Sequence, residues 1–403
     1  MRNMAISIIA MMVLAACNQG GGAAAGGDSK AASGSSAQTS SSGGGDGKEI
    51  LIGFSAPLTG PQSHYGEDYK SGVQMAIDEA NEQGITINGA PAKFKLDSQD
   101  DAADPKQATQ VAERFVDQKV AGVIGHFNSG TTIPASKVYE ENGIPNISMA
   151  TSPVLTQQGF KNVFRSMTSD SQQGLVLGKY AVEKLGYKTV GIIDDRTAYG
   201  QGLADEFEKS AKAAGATILP RQFTNDKATE FQSILTAFKE SPPDVIFYGG
   251  ADPQSAPMVV QMKRLGIKSQ FLSGEMTKNP NFIKVAGESA EGVMASLAGV
   301  PLAKLPKGPE FETKYKAKFG KEVQIYAPYG YDGTWAMINA MKAANSSKPA
   351  DYLPKLAATD MPGITSDHFA YDDKGDLKDV AITVYKVEKG QWVPVESLTS
   401  SSK

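Results

Sequence analysis

The feature that most constrains this chain is a regular alternation of short apolar segments with longer segments of helical periodicity. Residues 50–54 form a compact apolar run typical of a buried strand, and residues 65–83 have the length and pattern of a helix. In a later helix, apolar residues recur three and four positions apart, at Ala108, Val111, Ala112, Phe115 and Val116. This alternation predicts an α/β fold with a largely parallel sheet, because parallel strands need crossover connections that are usually helical.

At 403 residues, the chain is too long for one ordinary hydrophobic core. The strand and helix pattern begins again near residues 165–170, which predicts two doubly wound, Rossmann-like lobes. We assign residues 48–167 and 300–380 to an N-terminal lobe, and residues 168–299 and 381–403 to a C-terminal lobe. Because the last part of the chain completes both lobes, several segments cross between them, which predicts a hinge.

Residues 121–136 are the best candidate for part of a ligand site. A β-branched strand ends at Gly125, and a helix begins near Thr131 after a turn that contains Ser129. The first N–H groups of a helix have no intrahelical partner, so together with hydroxyl groups they can bind a small anion such as a carboxylate. The alternative is that Ser129 or Thr131 merely caps its own helix.

The two predicted lobes repeat one local pattern. Tyr65 and Gly66 open a helix after the first strand, and Tyr199 and Gly200 do the same in the second half of the chain. Each pair follows the carboxyl end of a strand, where ligands of open α/β sheets bind. We therefore predict an inter-lobe cleft lined by Tyr65, Phe127, Asn128, Ser129, Thr151, Tyr199, Ala251 and Glu275.

The first 47 residues predict export and attachment to a membrane. Residues 1–16 combine Arg2 with a short apolar core, as in a cleaved signal peptide. The ending LAAC resembles the lipobox of bacterial lipoproteins, in which the cysteine, here Cys17, is acylated. Residues 17–47 are rich in Gly, Ala and Ser, which predicts a flexible tether. We expect a lipid-anchored protein in the periplasm or at the cell exterior, without disulfides because Cys17 is its one cysteine.

Composition and motifs argue against several other functions. The 40 Lys and Arg residues are balanced by 44 Asp and Glu residues, so no basic field points to nucleic acid. The signatures of serine hydrolases, zinc proteases and nucleotide-binding loops are absent from the sequence. Residues 100–104 lack the spacing of a calcium loop, so we predict a solvated acidic loop with no metal or cofactor. His126 could serve as a general base for Ser129, which leaves an exported serine-dependent hydrolase as an alternative.

Several segments together resemble the leucine/isoleucine/valine-binding proteins, which are type I periplasmic binding proteins of branched-chain amino-acid ABC transporters. These segments are SAPLTGPQSHYG, VIGHFNSGTTIPAS, GIPNISMATSPVLT, AYGQGLA, FYGGADPQ and FLSGEMTKN. The resemblance extends from residue 48 to about residue 395, and its strength lies in the number and order of the segments.

The resemblance implies how an amino acid would bind. Its α-carboxylate is expected to meet the Ser129 hydroxyl and the backbone N–H groups of Ser129 and Thr151. Its ammonium is expected to meet the Ala150 carbonyl, the Thr151 hydroxyl and, on lobe closure, Glu275. The side-chain pocket of the family is matched by Tyr65, Phe127, Tyr199 and Tyr326. This arrangement agrees with the chemistry of a zwitterion, because donors face the anion and acceptors face the cation.

Some positions depart from the family pattern. Ala103 and Asn128 stand where some members pair two cysteines, and Ala251 replaces an aromatic residue. The loop at residues 147–151 is one residue shorter, so that Met149 enters it. A roomier aromatic pocket is expected to accept leucine, isoleucine and valine and also to admit phenylalanine. If Asn128 faces the ligand, a polar side chain would be preferred instead.

We therefore predict the solute-binding component of an ABC importer, a monomer that captures an amino acid and delivers it to a permease. It would touch the membrane only through its lipid anchor and would not be an enzyme. Another small ligand, such as an amide, urea or an aromatic acid, is an alternative that a dispensable Glu275 would favour. A receptor module that senses the ligand would have the same sequence features.

Overall fold

The computed structural model describes residues 48–378 and 380–399, which form one compact unit. The predicted signal peptide, Cys17 and the tether lie outside the described residues. The strands are β1 (Lys48–Ala56), β2 (Thr86–Ile87), β3 (Ala90–Asp100), β4 (Gly122–Gly125), β5 (Asn146–Ser148), β6 (Val163–Arg165), β7 (Thr189–Asp194), β8 (Thr217–Ile218), β9 (Gln222–Phe223), β10 (Val245–Gly249), β11 (Gln270–Ser273), β12 (Met294–Ala298), β13 (Asp360–Met361), β14 (Phe369–Ala370), β15 (Ala381–Glu388) and β16 (Gln391–Thr399).

The helices alternate with these strands. They are α1 (Ser63–Glu82), α2 (Pro105–Asp117), α3 (Ser129–Glu141), α4 (Val154–Gln157), α5 (Asp170–Lys179), α6 (Ala198–Ala213), α7 (Gln232–Glu240), α8 (Asp252–Leu265), α9 (Pro280–Ala286), α10 (Gly308–Phe319), α11 (Ala327–Ala344) and α12 (Pro349–Ala357). A π-helical turn, Tyr180–Lys184, continues α5. Short 3₁₀ turns occupy Glu275–Thr277, Gly287–Ala290 and Leu302–Lys304.

Two large sheets divide the described residues into two lobes, and β13 and β14 form a separate two-stranded antiparallel sheet. The first lobe is built on a six-stranded sheet in the order β2-β3-β1-β4-β5-β6, and the second lobe on an eight-stranded sheet in the order β16-β15-β12-β11-β10-β7-β8, with β9 also paired to β7. The strands β3, β1, β4, β5 and β6 are parallel neighbours, as are β8, β7, β10, β11 and β12. The antiparallel pairs lie at the sheet margins, where β2 pairs with β3 and β15 with β12 and β16.

Helices cover both faces of each sheet. Along β4, Val123 packs into a core with α2 and α3, whereas the next residue, Ile124, packs into a core with α1 and α11. Ile192 and Ile193 of β7 divide in the same way between two cores. Successive side chains of a strand point to opposite faces, so fully apolar strands of this kind require cover on both sides. The predicted doubly wound α/β arrangement follows from these runs.

Local signals fix where several helices begin. The Asp104 side chain accepts hydrogen bonds from the backbone N–H groups of Lys106 and Gln107, and Pro105 occupies the first turn of α2. The Thr197 hydroxyl accepts from the backbone N–H of Gly200 at the start of α6. These caps place the amino ends of the helices next to the carboxyl ends of the parallel strands.

The chain crosses between the two sheets after β6, after β12 and before β15. Helices α11 and α12, which follow the second crossing, pack on the first lobe against α1 and β4. Strands β15 and β16 then join the second sheet. The backbone N–H of Gly299, just after β12, donates to the carbonyl of Ala381, the first residue of β15 (2.6 Å), so it links two of the crossing segments. Three connections of this kind give the lobes a shared hinge.

Two predictions about the first lobe, on the acidic loop at residues 100–104 and on the start of α3, are wrong. Asp101 is fully buried rather than solvated, because its carboxylate accepts a hydrogen bond from the Ser55 hydroxyl (3.2 Å) and contacts His126 Nδ1 (2.7 Å). Helix α3 begins at Ser129 instead of near Thr131, because Asn128 is the last extended residue (φ −78°, ψ 146°).

Other elements were not predicted. These are α12 and the hairpin of β15 and β16, in which Lys389 and Gly390 both have positive φ (54° and 71°). Two consecutive residues with positive φ suit the right-handed twist of a tight hairpin. None of the helices among residues 48–378 and 380–399 is both long enough and apolar enough to cross a membrane.

Candidate functional site

A small cavity lies between the two lobes, at the carboxyl ends of their parallel strands. The space that it traces is about 220 Å³, part of it continuous with solvent. It is lined by Phe127, Asn128, Ser129, Met149, Thr151, Tyr199, Glu275, Met276 and Tyr326. All of these residues except Asn128 are buried. The walls of this narrow cavity therefore lie almost entirely in the interior of the protein, between the lobes.

The first lobe contributes hydrogen-bond donors through the start of α3. Ser129 is the first residue of this helix, and the side chain of Asn128 does not cap it, so first-turn N–H groups face the cavity region without an intrahelical partner. The Ser129 oxygen already accepts a hydrogen bond from the backbone N–H of Ser152 (3.1 Å). Its hydroxyl hydrogen is thereby directed to another acceptor. A helix amino terminus with a free hydroxyl donor is suited to bind a carboxylate.

Gly125 shapes this end of the site. Its φ of +133° lies in the region that favours glycine, and a Cβ at this position would collide with the carbonyl oxygen of Ser55 on β1. The close approach lets β4 turn sharply into the segment that carries Phe127 and Ser129.

The second lobe contributes a buried carboxylate, Glu275, at the end of β11. One of its oxygens, Oε2, accepts hydrogen bonds from Gln173 Nε2 (2.7 Å) and from the Tyr199 hydroxyl (3.0 Å). Burial raises the pKa of Glu275, while these hydrogen bonds partly counteract the rise. A carboxylate in this environment gains most from a cationic partner, because an unpaired buried charge is costly.

A second buried carboxylate, Asp170, was not predicted from the sequence. It opens α5, and neither of its oxygens has a hydrogen-bond partner of good geometry among the described residues. Burial and the neighbouring charge of Glu275 raise the pKa of Asp170 strongly, and the nearby Thr151 hydroxyl opposes part of that rise. In the sequence, the Ser169 and Gln172 capping box marks only a helix start, so it gives no signal of a site.

Arg165 holds the loop that carries Ala150 and Thr151. Its guanidinium is fully buried, pairs with Asp376, and donates from Nη1 to the Ala150 carbonyl (2.7 Å) and from Nη2 to the Thr156 hydroxyl (2.9 Å). The Ala150 carbonyl, predicted to meet a ligand ammonium, therefore already accepts one strong hydrogen bond and has one lone pair left.

The remaining wall of the cavity is apolar and aromatic. Phe127 and Tyr326 meet edge to face with their ring centres 4.7 Å apart, and Met149 and Met276 complete the surface. Met276 was not among the predicted residues. Tyr326 is placed by Asp68, whose carboxylate accepts the backbone N–H groups of Ile325 (2.8 Å) and Tyr326 (2.6 Å). Sequence gives no signal for Asp68, because its partners are more than 250 positions away.

Three predicted residues do not line this cavity. Tyr65 lies behind Phe127, with parallel rings 5.5 Å apart, and its hydroxyl donates to Asp252 and to the Met276 carbonyl on the second lobe. Ala150 contributes to a small apolar cluster beneath the loop. Ala251 lines a neighbouring, larger cavity along the same seam between the lobes. The structure therefore brings the other eight predicted ligand-binding residues together and places these three around them.

His126 does not face Ser129. Its Nδ1 contacts Asp101 (2.7 Å), and its Nε2 contacts the Tyr139 hydroxyl (2.9 Å) inside the first lobe. Both ring nitrogens are thus occupied, and Ser129 lacks the general base that a serine hydrolase requires. No group of three or more His, Cys, Asp or Glu side chains suited to a metal ion occurs in the part of the chain that the structure describes.

The cavity wall combines groups of opposite polarity. The amino end of α3 and the Ser129 hydroxyl provide donors, Glu275 provides a carboxylate, and Asp170 lies near Glu275 without lining the cavity. A ligand that carries an anion and a cation a few bonds apart would satisfy both ends, and an apolar side chain would contact Phe127 and Met276.

Comparisons with known proteins agree with this geometry. A family model of periplasmic binding proteins matches residues 49–391. The Leu/Ile/Val-binding protein homolog 1 of Brucella suis biovar 1 (strain 1330) is 36% identical over 343 residues, which is 85% of this chain and 91% of that protein.

Solved structures show the same similarity. The leucine binding protein LivK from Thermotoga maritima MSB8 has a TM-score of 0.81 and 26% identity, covering 87% of this chain and 98% of that chain. LivJ from Streptococcus pneumoniae str. Canada MDR_19A, in complex with isoleucine, has a TM-score of 0.79 and 26% identity, covering 87% and 100%. These similarities confirm the predicted fold class of two doubly wound lobes.

Proposed function

Because this chain belongs to the periplasmic binding protein family, we propose that it is the solute-binding component of an ABC importer and captures an amino acid between its lobes. The family is one of solute-binding proteins, so the chain is not an enzyme. Its membership also confirms the resemblance to leucine/isoleucine/valine-binding proteins on which the ligand assignment was based.

The observation that carries the proposal is the polarity of the cavity. Ser129 at the start of α3 and the buried carboxylate Glu275 line the same cavity from opposite lobes. In the proposed complex, the ligand carboxylate binds Ser129 and the N–H groups of Ser129 and Thr151. The ligand ammonium binds Glu275, the Thr151 hydroxyl and the Ala150 carbonyl.

We propose leucine, isoleucine, valine and phenylalanine as ligands. The apolar wall of Phe127, Met149, Met276 and Tyr326 provides the surface for such side chains. The related Brucella suis protein is named for leucine, isoleucine and valine, and the Streptococcus pneumoniae protein holds isoleucine. Since one methylene in such a pocket is worth only about 1–3 kcal/mol, discrimination among these ligands would be modest.

The proposed mechanism is closure of the lobes around the ligand. The protein groups proposed to bind the ligand carboxylate are on the first lobe, and Glu275 is on the second. An amino acid that contacts both lobes therefore favours the closed arrangement. The closed protein would then deliver its ligand to a permease. We further propose that it acts as a monomer, is exported, and is anchored to the membrane through acylated Cys17.

A thermal-shift panel of the twenty amino acids, followed by calorimetry, tests the proposal. Ligands should raise the unfolding temperature, and the stabilisation is about 4 kcal/mol at a thousandfold excess over Kd. Ser129→Ala and Glu275→Gln should each weaken leucine binding by about 1.5–3 kcal/mol through loss of a charge-assisted hydrogen bond.

Matched controls exist on the same scaffold. Ser136→Ala removes a buried hydroxyl that donates to the Ile133 carbonyl (2.8 Å) on the same helix but away from the cavity. Glu310→Gln removes an exposed carboxylate. Both should keep wild-type affinity. Unchanged binding in the Ser129 and Glu275 variants would contradict the zwitterion assignment and favour an amide, urea or an aromatic acid as the ligand.

A further inference from the structure

A second cavity adjoins the ligand cavity along the seam between the lobes. It encloses about 750 Å³ of empty space, part of it open to solvent. The two cavities share Asn128, Ser129, Tyr199 and Met276 as walls. We call this space the outer chamber, and it is also lined by Gln62, Ala103, Pro105, Gly130, Asp195, Arg196, Thr197, Ala198, Asp226 and Ala251.

Two alanines add little bulk to the wall of the outer chamber. Ala251 is buried at the start of α8, and Ala103 lies on the opposite lobe, so each contributes only a methyl group to the wall. At the solvent end, Ala198, Arg196 and Asp226 are exposed. The outer chamber thus leads from the walls that it shares with the ligand cavity toward water.

The wall of the outer chamber contains acceptors and negative charge beside the first residues of α2, α3 and α6. Asn128 donates from Nδ2 to Gln62 Oε1 (2.7 Å), which leaves its buried Oδ1 without a partner among the described residues. Buried acceptors of this kind normally have a partner. Asp195 is buried in the wall and Asp226 is exposed at the outer end.

The one cation of the chamber wall is already engaged. The Arg196 guanidinium lies over the Phe223 ring, 3.5 Å from its centre, and its Nε is 4.0 Å from Asp194. Asp195 Oδ1 accepts from the backbone N–H (2.9 Å) and hydroxyl (2.6 Å) of Thr197 but has no cationic partner within salt-bridge distance in the described part of the chain. An ammonium group arriving from the ligand cavity would complement these acceptors.

We propose that this site also takes α-amino acids whose side chain ends in an N–H donor, with the side chain threaded past Asn128 into the outer chamber. The inference rests on the proposed function, because the α-carboxylate and α-ammonium must first be fixed by Ser129 and Glu275. L-lysine is the simplest such ligand, and its terminal ammonium meets Asn128 Oδ1, Asp195 and Asp226.

Calorimetry on the whole chain with L-lysine, L-norleucine and L-leucine tests the inference. Lysine and norleucine share the same straight carbon chain, and only lysine carries a terminal ammonium on it. We expect lysine to bind at least as tightly as norleucine. If norleucine binds more than roughly tenfold tighter than lysine while leucine binding is intact, the inference is overturned. If none of the three ligands binds, the proposed function fails and the inference fails with it.

Variants at Asn128, where the two cavities meet, distinguish an outer chamber that binds a terminal ammonium from one that only holds water. Asn128→Asp should raise the lysine-to-norleucine affinity ratio by roughly tenfold, and Asn128→Leu should lower it. Asn142→Asp adds the same charge at the opposite end of α3, where Asn142 is exposed, and should leave the ratio unchanged. Equal shifts for both ligands in the Asn128 variants would overturn the inference. Ala251→Tyr, which narrows the chamber, should weaken lysine more than leucine and provides a test that does not depend on folding of the Asn128 variants.

Discussion

The two lobes begin their cleft helices with the same Tyr-Gly pair, and comparison of the pairs shows what the lobes share. A Cβ at Gly66 would collide with the Pro57 carbonyl, and a Cβ at Gly200 would collide with the Asp195 carboxylate and the Gly249 carbonyl. In both lobes the glycine lets a helix approach the loop before it closely. The repeat in the sequence therefore has one physical cause.

The tyrosines of the two pairs differ in what they contact. The Tyr65 hydroxyl reaches across the cleft to Asp252 and the Met276 carbonyl, and the neighbouring His64 Nε2 lies 3.2 Å from Asp252 Oδ1. The Tyr199 hydroxyl stays within its own lobe and donates to Glu275 (3.0 Å). The same local fold thus provides an inter-lobe latch in one lobe and an orienting group for the ligand site in the other.

The largest expected effect concerns the ionisation of Glu275, whose carboxylate accepts the hydrogen bond from Tyr199. Burial raises the pKa of Glu275, and a ligand ammonium requires the ionised carboxylate. Leucine affinity should therefore fall as the pH is lowered, beginning above the pH at which an ordinary glutamate is protonated. The full loss should approach about 1.5–3 kcal/mol, and calorimetry over a pH series measures it. Glu275→Gln should bind weakly with a flattened pH profile, and an equally steep profile in that variant would contradict the assignment.

An intermediate effect is expected from the latch. Tyr65→Phe removes the hydroxyl contacts with Asp252 and Met276, so the closed arrangement loses about 0.5–1.5 kcal/mol and leucine affinity falls by roughly tenfold or less. Calorimetry measures the loss, and small-angle scattering should show a larger radius of gyration at subsaturating leucine than in the wild type.

Tyr352→Phe is the matched control for the latch. Its hydroxyl donates to the Ala121 carbonyl (2.6 Å) entirely within the first lobe. This variant should lose stability without losing affinity, and similar affinity losses in both variants would show that Tyr65 acts through general stability rather than through closure.

The smallest expected effect comes from Tyr199→Phe. The hydrogen bond from Tyr199 lowers the pKa of Glu275, so its removal should raise that pKa further. The loss of leucine affinity on acidification should then begin at a higher pH, with only a small change in affinity at neutral pH. Tyr65→Phe should leave the position of the pH profile unchanged. A shifted pH profile in the Tyr65 variant, or an unshifted one in the Tyr199 variant, would contradict the assignment of Tyr65 to lobe closure and of Tyr199 to Glu275.

Much of the site follows from residues at strand ends. Ser129, Thr151 and Glu275 each follow a short buried strand, and parallel strands direct their carboxyl ends to one edge. Sequence alone could therefore place them in one cleft. The assignment of individual contacts to the ligand carboxylate and ammonium came from the family resemblance and stays a prediction.

The residues that hold the site could not be predicted in this way. Arg165 pairs with Asp376, 211 positions later, and Asp68 binds the backbone N–H of Ile325, 257 positions later. Such pairings depend on how the last part of the chain returns to the first lobe, and no local sequence pattern encodes that return. Asp101 was wrongly predicted to be solvated because its partners belong to other elements of the first lobe, Ser55 to β1 and His126 to the segment just after β4.

The direction of the strands makes the molecule suitable for a fluorescence sensor of lobe closure. Because strand carboxyl ends face the cleft in both lobes, the start of β1 lies at the pole of the first lobe farthest from the cleft. The turn at Lys389 and Gly390 lies at the corresponding pole of the second lobe, because β15 runs antiparallel to β12. A donor fluorophore near residue 48 and an acceptor at this exposed turn would convert lobe closure directly into a change in energy transfer.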